Sequence, residues 1–461
     1  KILFTLTCFI CGLLFCNNIA FAQPTRVACV GNSITYGAGI VDRDKNSYPA
    51  QLGCMLGNGY EVKNFGISGT TLMNCGDSPY IKVTAYKASL DYKPNIVLIK
   101  LGTNDSKDFN RDFIKENFKK DYQTLIDSYK SLPNNPRIIL LKPVRCYLLD
   151  GSFKGANDVY EKEIIPAIEA LAYENSLEIV DLYHLFSDKW DKELLPDRLH
   201  PSAKGATIIA KRLSQQILNV TTDFKISLKS SNQFNFHGYK GHKIGQDMVV
   251  EPKQAAKGNP WIIRARFWNH EPQTDIALLE KGFHLAYCDV ADLYGAPVAC
   301  KRWDDFYKRM TKAGLSKKVV LEGMSRGGLI VFNWAAKNAS KVAAIYADAP
   351  VLDFKSWPMG LGSGEGSTSD TKQLLKVYGY KDVEAATKWK GNPIDNIKKL
   401  SHIPIILVIG DADKVVPPSE NSSIFELKIK GIKAIHKPGI GHHPHSLYNP
   451  NEIVDFIMKH I

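Results

Sequence analysis

The sequence lacks internal repeats, low-complexity tracts and, after residue 22, any long apolar run. Without repeats of about 20–50 residues it is not a solenoid. With 44% hydrophobic and 23% charged residues it is not collagenous, coiled-coil or disordered either. No segment after residue 22 nears the roughly 20 apolar residues that cross a bilayer, so we expect no stable membrane insertion. Because one hydrophobic core stops growing at about 250 residues, the 461 residues predict two domains.

Cysteine is also scarce. Of the nine cysteines, six follow residue 22: Cys29, Cys54, Cys75, Cys146, Cys288 and Cys300. They show neither C-x-x-C pairing nor interleaved histidines, so the sequence predicts no zinc site, and it predicts no cofactor. Two disulfides are possible in an exported chain, Cys54 with Cys75 and Cys288 with Cys300. Buried free thiols are the alternative, which we favour for Cys29 because it stands in an apolar strand.

The first 22 residues have the pattern of a secretory signal peptide. Lys1 is followed by the apolar run 2–15 and by Ala20-Phe21-Ala22, a small-x-small cleavage site. The run is shorter than a helix that spans a bilayer, which argues against the alternative of a retained membrane anchor. We therefore assign residues 1–22 to a signal peptide cleaved after Ala22, and expect a secreted or periplasmic protein.

Residues 23–222 alternate short apolar strands with amphipathic helices. The predicted strands are 26–30, 60–65, 95–101, 137–141 and 177–182. The predicted helices are 47–56, 113–129, 164–173 and 203–218. This alternation is typical of an α/β domain in which helices cover both faces of a parallel sheet.

A second succession of strands and helices begins after residue 222, where we place a domain boundary. Polar, β-prone segments lead to strands at 261–267, 284–288, 318–321, 342–346 and 403–409, with helices between them. Residues 223–461 therefore also predict an α/β domain.

The charge of the chain is uneven. Residues 23–222 carry 25 basic and 23 acidic side chains, whereas residues 223–461 carry 33 and 24. The excess of basic side chains in residues 223–461 would favour the binding of an acidic glycan, although a solvated lysine-rich face is the simpler interpretation. Nucleic acid is not an expected partner, because the charge is diffuse and no aromatic-basic motif accompanies it.

The first candidate catalytic set begins at the end of strand 26–30, which runs into residues 31–37 (GNSITYG). Ser33 thus stands at the carboxyl end of a parallel strand, where such sheets build their sites. A hydroxyl needs a neighbouring base to become a nucleophile. Asp197 and His200, three residues apart, provide that base and a carboxylate to orient it.

Two further strand ends offer donors for an oxyanion. Residues 64–66 (NFG) can present a backbone N–H at Gly66, and residues 102–105 (GTND) can present the side-chain amide of Asn104. Asp105 and Asp108 are expected to be surface carboxylates near the cleft.

These four blocks resemble the SGNH (GDSL-like) hydrolase superfamily over about residues 26–215. The resemblance implies a flavodoxin-like three-layer α/β/α sandwich and ester hydrolysis through an acyl-enzyme. In it, Ser33 would be the nucleophile, His200 the general acid and base, and Asp197 its orienting group. Gly66, Asn104 and the Ser33 backbone would stabilise the oxyanion. Asn32 departs from the family, many members of which carry Asp before the serine, but this side chain is not part of the triad.

A second candidate set lies at residues 323–328 (GMSRGG), between strand 318–321 and a helix. The G-x-S-x-G pattern allows the sharp turn that exposes a nucleophile, here Ser325. Residues 410–417 (GDADKVVP) and 441–445 (GHHPH) follow later in the chain. The order Ser, Asp, His is the one found in α/β-hydrolases.

Residues of about 225–461 therefore resemble the α/β-hydrolase superfamily. The resemblance implies Asp413 as the triad acid and His442 as the base, with Asp411 and His443 as alternatives. It also implies Arg326 N–H as half of an oxyanion hole and the loop 267–269 (FWN) as the other half.

Three other features of the second domain bear on its site. The insertion 353–400 resembles a cap. The H-H-x-H motif lacks an identifiable distant carboxylate, so we predict no metal there and expect His443 and His445 to support the site or contact substrate. Four tryptophans are expected mainly in cores, with at most one lining the cleft: Trp268, Trp303, Trp357 and Trp389.

Two serine-esterase patterns in one exported chain predict a bimodular esterase that removes O-acetyl groups, and a second ester, from an acylated polysaccharide or oligosaccharide. One alternative is a single SGNH acetylesterase joined to a catalytically silent, glycan-binding α/β-hydrolase module. The other is a lipase-like carboxylesterase, although the insertion 353–400 is rich in Gly, Ser and Lys rather than apolar.

Overall fold

The computed structural model describes residues 23–187, 189–218, 232–290 and 292–461. The predicted signal peptide and the predicted domain boundary near residue 222 lie outside these residues. Among the described residues, no helix is both long enough and apolar enough to cross a membrane.

Residues 23–218 form a sheet of five parallel strands in the order β2-β1-β3-β4-β5, which is the flavodoxin-like order. The strands are β1 (Thr25–Gly31), β2 (Tyr60–Gly66), β3 (Ile96–Lys100), β4 (Arg137–Leu141) and β5 (Glu178–Val180). Gly31 pairs with Gly66 on one side and with Lys100 on the other. The carboxyl ends of β1, β2 and β3 therefore lie level at one edge of the sheet.

Helices cover both faces of this sheet, as predicted. They are α1 (Ser33–Tyr36), α2 (Arg43–Asn46), α3 (Tyr48–Leu56), α4 (Thr84–Asp91), α5 (Ile114–Lys130), α6 (Ala156–Val159), α7 (Ile165–Glu174) and α8 (Ala203–Leu218). Successive residues of β1 point to opposite faces. Accordingly, Val27 and Cys29 belong to the core beneath α3 and α8, whereas Ala28 and Val30 belong to the core beneath α5 and α7.

The remaining strands form one mixed sheet in the order β14-β13-β12-β11-β9-β10-β8-β7-β6. They are β6 (Asn232–Phe236), β7 (Tyr239–Ile244), β8 (Asp247–Glu251), β9 (Trp261–Arg264), β10 (His284–Tyr287), β11 (Val319–Met324), β12 (Val342–Asp348), β13 (Ile405–Gly410) and β14 (Lys433–Lys437). The antiparallel pairs are β6 with β7, β7 with β8, and β8 with β10, and the other neighbours run parallel.

The helices of the second half follow its strands. They are α9 (Gln273–Glu280), α10 (Pro297–Ala313), α11 (Gly327–Asn338), α12 (Thr368–Tyr378), α13 (Val383–Thr387), α14 (Ile397–Leu400), α15 (Ser422–Lys428) and α16 (Asn451–Met458). Helices α12, α13 and α14 lie within the predicted insertion 353–400, between β12 and β13. A separate apolar cluster joins part of this insertion, including Phe354 and Leu374, to Leu329 of α11.

The two halves pack against each other. Asp181 N–H donates to Glu280 Oε1 at 2.6 Å, and Asn449 Nδ2 donates to the Leu185 carbonyl at 3.0 Å. One hydrophobic cluster contains side chains from both halves. A cavity of about 380 Å³ lies along this contact.

The six described cysteines are free thiols. Cys29 is fully buried, as the apolar strand predicted, and burial raises the pKa of its thiol far above the ordinary value. Neither of the two possible disulfides is present: Cys54 and Cys75 are exposed, whereas Cys288 and Cys300 are buried.

Candidate active sites

Ser33 is the first residue of α1, immediately beyond β1. Asn32 caps the helix, because its side chain accepts a hydrogen bond from Ile34 N–H at 3.3 Å. Two glycines allow α1 to lie against the strand ends. A Cβ on Gly31 would lie 2.2 Å from Thr35 Oγ1, and one on Gly66 would lie 2.3 Å from Tyr36 N.

His200 comes within proton-transfer distance of Ser33, as predicted. Its Nε2 lies 2.8 Å from Ser33 Oγ, and its Nδ1 lies 2.6 Å from Asp197 Oδ2. Asp197 Oδ1 accepts hydrogen bonds from the backbone N–H groups of Leu199 and His200, so the turn is wound around this carboxylate. Burial acts to raise the pKa of Asp197, but the hydrogen bonds from His200 and Leu199 outweigh it and lower the pKa. Asp197 is thus held ionised beside the imidazole.

The predicted oxyanion donors differ in whether their N–H groups already donate a hydrogen bond within the protein. Ser33 N–H has no hydrogen-bond partner among the described residues. Asn104 is buried and gives one side-chain N–H to the Thr70 carbonyl at 2.9 Å, which leaves the second N–H of its amide. Gly66 N–H instead donates to Asn64 Oδ1 at 2.9 Å. Its role as a donor to substrate therefore stays a prediction, whereas its close approach to α1 is a feature of the structure.

Two ionisable groups near this site are buried, which was not predicted from the sequence. Lys100 ends β3 and is fully buried, with its Nζ 2.6 Å from Thr103 Oγ1 and 3.4 Å from Asn32 Oδ1. It has no carboxylate partner among the described residues, and burial lowers its pKa to about 7.

Asp105 is the second of these groups, and the prediction of a surface carboxylate was wrong for it. It is fully buried, and its oxygens accept hydrogen bonds from Leu72 N–H and Met73 N–H. Burial raises its pKa to about 6 despite these bonds. Its role is to fix the loop beside Asn104, because it ties that loop to the segment after β2. Asp108, by contrast, is exposed as predicted.

Ser325 lies at a sharp turn between β11 and α11. Its φ of 49° is in the left-handed region, a strained conformation that turns the side chain away from the sheet. The surrounding glycines make the turn possible. A Cβ on Gly323 would lie 2.9 Å from Val331 Cγ2, and one on Gly328 would lie 2.7 Å from Pro350 Cβ.

A second triad is formed at this turn. His442 Nε2 lies 2.9 Å from Ser325 Oγ, and His442 Nδ1 lies 2.7 Å from Asp413 Oδ2. Asp411 and His443, the predicted alternatives for the acid and the base, do not join this triad. Asp411 pairs with His436 at 2.6 Å, on the exposed side of β14, and His443 makes no hydrogen bond to Ser325 among the described contacts. A Cβ on Gly410 would lie 2.2 Å from Gly441 O, so this glycine lets the two loops of the triad meet.

A pocket of about 230 Å³ opens at Ser325. Arg326 N–H has no hydrogen-bond partner among the described residues, as expected of an oxyanion donor. Phe267, from the loop predicted to hold the other half of the oxyanion hole, lines the same pocket. The Arg326 side chain binds Asp370 of α12 at 2.6 Å and lies over the Trp357 ring at 4.8 Å. The insertion therefore forms one wall of this pocket.

Trp357 is the one of the four predicted tryptophans that lines the pocket. Trp303 is fully buried in the core of the second half. Trp268 packs on Phe236, and Trp389 stacks on Phe354. The expectation that at most one of them faces the cleft is met.

The H-H-x-H motif folds into a compact cluster. One ligand atom from each of His442, His443 and His445 lies within 4.8 Å of the other two. No distant carboxylate could be identified for this motif from the sequence, but His445 has one: its Nδ1 lies 2.9 Å from Asp348 Oδ1, at the end of β12. The sequence could not reveal this pair, because 97 positions separate the two residues.

Comparison with known proteins is informative for the first half of the chain. Residues 29–208 match the GDSL-like Lipase/Acylhydrolase family. An acetylxylan esterase of Xylanibacter ruminicola is 39% identical over 209 residues. This match covers 42% of the chain and 43% of the relative, so the chain spans less than half the length of that protein.

Solved structures resemble parts of the chain at low identity. The native aryl esterase of M. smegmatis is 18% identical, with a TM-score of 0.36, over 42% of this chain and 98% of that one. A puromycin-hydrolyzing peptidase of Mycobacterium tuberculosis is 15% identical, with a TM-score of 0.37, over 48% and 36%.

Proposed function

We propose that residues 23–218 form a serine esterase that removes O-acetyl groups from a polysaccharide. The observation that carries this proposal is the unbroken chain of hydrogen bonds from Asp197 through His200 to Ser33. The match to an acylhydrolase family supports the ester chemistry, and the relative named acetylxylan esterase supports an acetylated polysaccharide as substrate.

The distances within the first triad assign each residue a role in the hydrolysis of an ester. Ser33 Oγ attacks the ester carbonyl carbon while its proton passes to His200 Nε2. The negative charge on the carbonyl oxygen is stabilised by Ser33 N–H and the free N–H of Asn104. Collapse of this intermediate breaks the bond to the sugar oxygen, which takes the proton from His200. Water then attacks the acetyl-serine by the same route and releases acetate.

We further propose that residues 232–461 form an α/β-hydrolase domain with its own esterase activity. The support is its mixed sheet together with the position of each triad residue at a strand end. Ser325 follows β11, Asp413 follows β13 and His442 follows β14. The three strands run parallel in one sheet, with β12 between β11 and β13. The order nucleophile, acid, base along the chain is that of α/β-hydrolases. The small pocket at Ser325 favours a short acyl group.

Export is part of the proposal and rests on the N-terminal pattern alone. N-terminal sequencing of the protein recovered outside the cytoplasm would test it, with Gln23 expected as the first residue.

The division of labour between the two triads is tested with the full chain. Acetate release from acetylated xylan, xyloglucan and pectin should be lost in Ser33→Ala, and a different ester activity should be lost in Ser325→Ala. Ser340→Ala, which alters an exposed serine, is the control. If Ser33→Ala removed all ester cleavage, the second domain would not be an esterase.

The alternative of a silent glycan-binding module makes a different prediction for Ser325. An active serine hydrolase is labelled at its nucleophile by a fluorophosphonate probe. In Ser33→Ala, labelling of Ser325 supports two active sites. Retention on a polysaccharide gel without labelling would instead support the binding module.

A further inference from the structure

Three imidazoles line the pocket of the second triad, although the triad itself uses one. Of the three, only His442 forms a hydrogen bond with Ser325. One ligand atom from each of His442, His443 and His445 nevertheless lies within 4.8 Å of the other two. The cluster spans a range of exposure, because His443 is exposed, His442 half-buried and His445 buried. It is therefore anchored in the core and open to solvent on one side.

Two of these imidazoles are oriented in the same way. Asp413 binds Nδ1 of His442, and Asp348 binds Nδ1 of His445, at 2.7 and 2.9 Å. A carboxylate oxygen accepts a hydrogen bond from Nδ1–H, so each Nε2 carries a lone pair. A carboxylate behind an imidazole is also the usual support of a histidine that ligates zinc.

His445 Nε2 gives separate evidence that the cluster binds a ligand. The His445 side chain is completely buried, and its Nε2 has no hydrogen-bond partner in the structure. Leaving a buried polar atom without a hydrogen-bond partner is unfavourable, because the atom has lost its contacts with water. His445 belongs to the cluster, where a bound ligand would satisfy this nitrogen.

The chemistry of the cluster selects the ligand. Three imidazole nitrogens with an open fourth position suit a zinc ion, whose N–Zn distances are about 2.0–2.1 Å. The nitrogens, now within 4.8 Å of one another, would have to lie about 3.5 Å apart around the ion. The carboxylates of Asp348 and Asp413, both buried, would balance the charge of the ion.

We propose that His442, His443 and His445 bind a zinc ion, and that this ion competes with Ser325 for Nε2 of His442. A zinc-bound His442 cannot accept the proton of Ser325, so binding of the metal switches off the second site. The inhibition rests on the proposed esterase function of this domain, whereas the binding of zinc does not.

Binding is tested with Co²⁺, which replaces zinc and absorbs visible light when its coordination is tetrahedral. The full chain should bind one Co²⁺ with this absorption, and Zn²⁺ should displace it. His443→Gln should weaken binding by about tenfold or more, whereas His402→Gln, at an exposed histidine elsewhere, should not. Ser325→Ala should keep or increase the affinity, because it removes the competitor for His442.

Three results would contradict the proposed zinc site. These are the absence of tetrahedral absorption, an affinity unchanged by His443→Gln, or an affinity lost in Ser325→Ala. Because His443 is exposed, its replacement by Gln leaves the core intact, and unfolding curves of the variant check this.

Inhibition is tested by fluorophosphonate labelling, with the Ser33 and Ser325 peptides resolved by mass spectrometry. Zn²⁺ should slow labelling of Ser325 by about tenfold or more in the wild type, and much less in His443→Gln. Labelling of Ser33 should be unaffected. Equal slowing in both proteins would overturn the inhibition. If Co²⁺ binds but Ser325 is never labelled, the esterase proposal for this domain fails while the metal site stands.

Discussion

His200 Nε2 lies 2.8 Å from Ser33 Oγ, although 167 positions separate the two residues in the chain. Strand β1 delivers Ser33 to the edge of the sheet, and the turn around the Asp197 carboxylate presents His200 to it. Parallel strands place their carboxyl ends together, so such distant residues can meet there.

Asp197→Asn should lower kcat for acetate release by about 10²- to 10⁴-fold, with little change in KM. The amide cannot stabilise the imidazolium that forms when His200 takes the proton of Ser33. Kinetics in the Ser325→Ala background measure this site alone. Asp108→Asn, at an exposed carboxylate, should leave kcat within twofold of its parent; an equal loss in both variants would refute the role of Asp197.

Gly66→Ala should destabilise the first domain and reduce its activity. The added Cβ would lie 2.3 Å from Tyr36 N and 2.6 Å from Thr35 C, both backbone atoms that cannot yield without moving α1 and Ser33. Overpacking of this kind typically costs about 1–3 kcal/mol. Urea unfolding and acetate release measure the two effects. Gly59→Ala is the matched control, because its Cβ would meet nothing within 4 Å.

Lys100 should make the stability of the first domain depend on pH. Burial lowers its pKa to about 7 from the 10.5 of an ordinary lysine. Between these values the unfolded chain binds more protons than the folded one, so the free energy of unfolding contributed by this group rises with pH. The slope has an upper limit of about 1.4 kcal/mol per pH unit.

Lys100→Met should therefore be more stable than the wild type near pH 7 and lose that advantage as the pH rises toward 10. Urea unfolding at several pH values measures the difference. Asn32→Asp offers a second test, because it places a carboxylate where Asn32 Oδ1 now lies 3.4 Å from Lys100 Nζ. This charge should keep Lys100 protonated and flatten its pH dependence. A difference between wild type and Lys100→Met that is the same at every pH would contradict the account.

The second site should prefer short acyl groups. Its pocket of about 230 Å³ is smaller than the roughly 300–1,000 Å³ of typical ligand sites, and Trp357 and Phe267 line it. In Ser33→Ala, kcat/KM for p-nitrophenyl acetate should exceed that for the decanoate by about tenfold or more. A preference for the long chain would instead favour the lipase-like alternative.

Much of this arrangement could be predicted from the sequence, because local patterns determine strands and strand ends. The predicted 137–141 strand and 203–218 helix match β4 and α8 residue for residue. The short antiparallel β6, β7 and β8 were expected only as β-prone segments, since glycines and charges interrupt their apolar pattern.

Contacts between distant side chains were not predictable in the same way. The Asp348–His445 pair, the burial of Lys100 and the bond from Gly66 N–H to Asn64 depend on where separate elements meet. Asp105 looked like a surface carboxylate because polar residues surround it in the sequence, yet the loop folds it inward to accept two backbone N–H groups.

The most direct test of the central claim is to trap the acyl-enzyme. The full chain is mixed with an acetylated xylan oligosaccharide, quenched in acid during turnover, digested and examined by mass spectrometry. One acetyl group is expected on Ser33, absent in Ser33→Ala and present in Ser325→Ala. Acetate release that continues in Ser33→Ala, with no acetyl group ever found on Ser33 of the wild type, would contradict it.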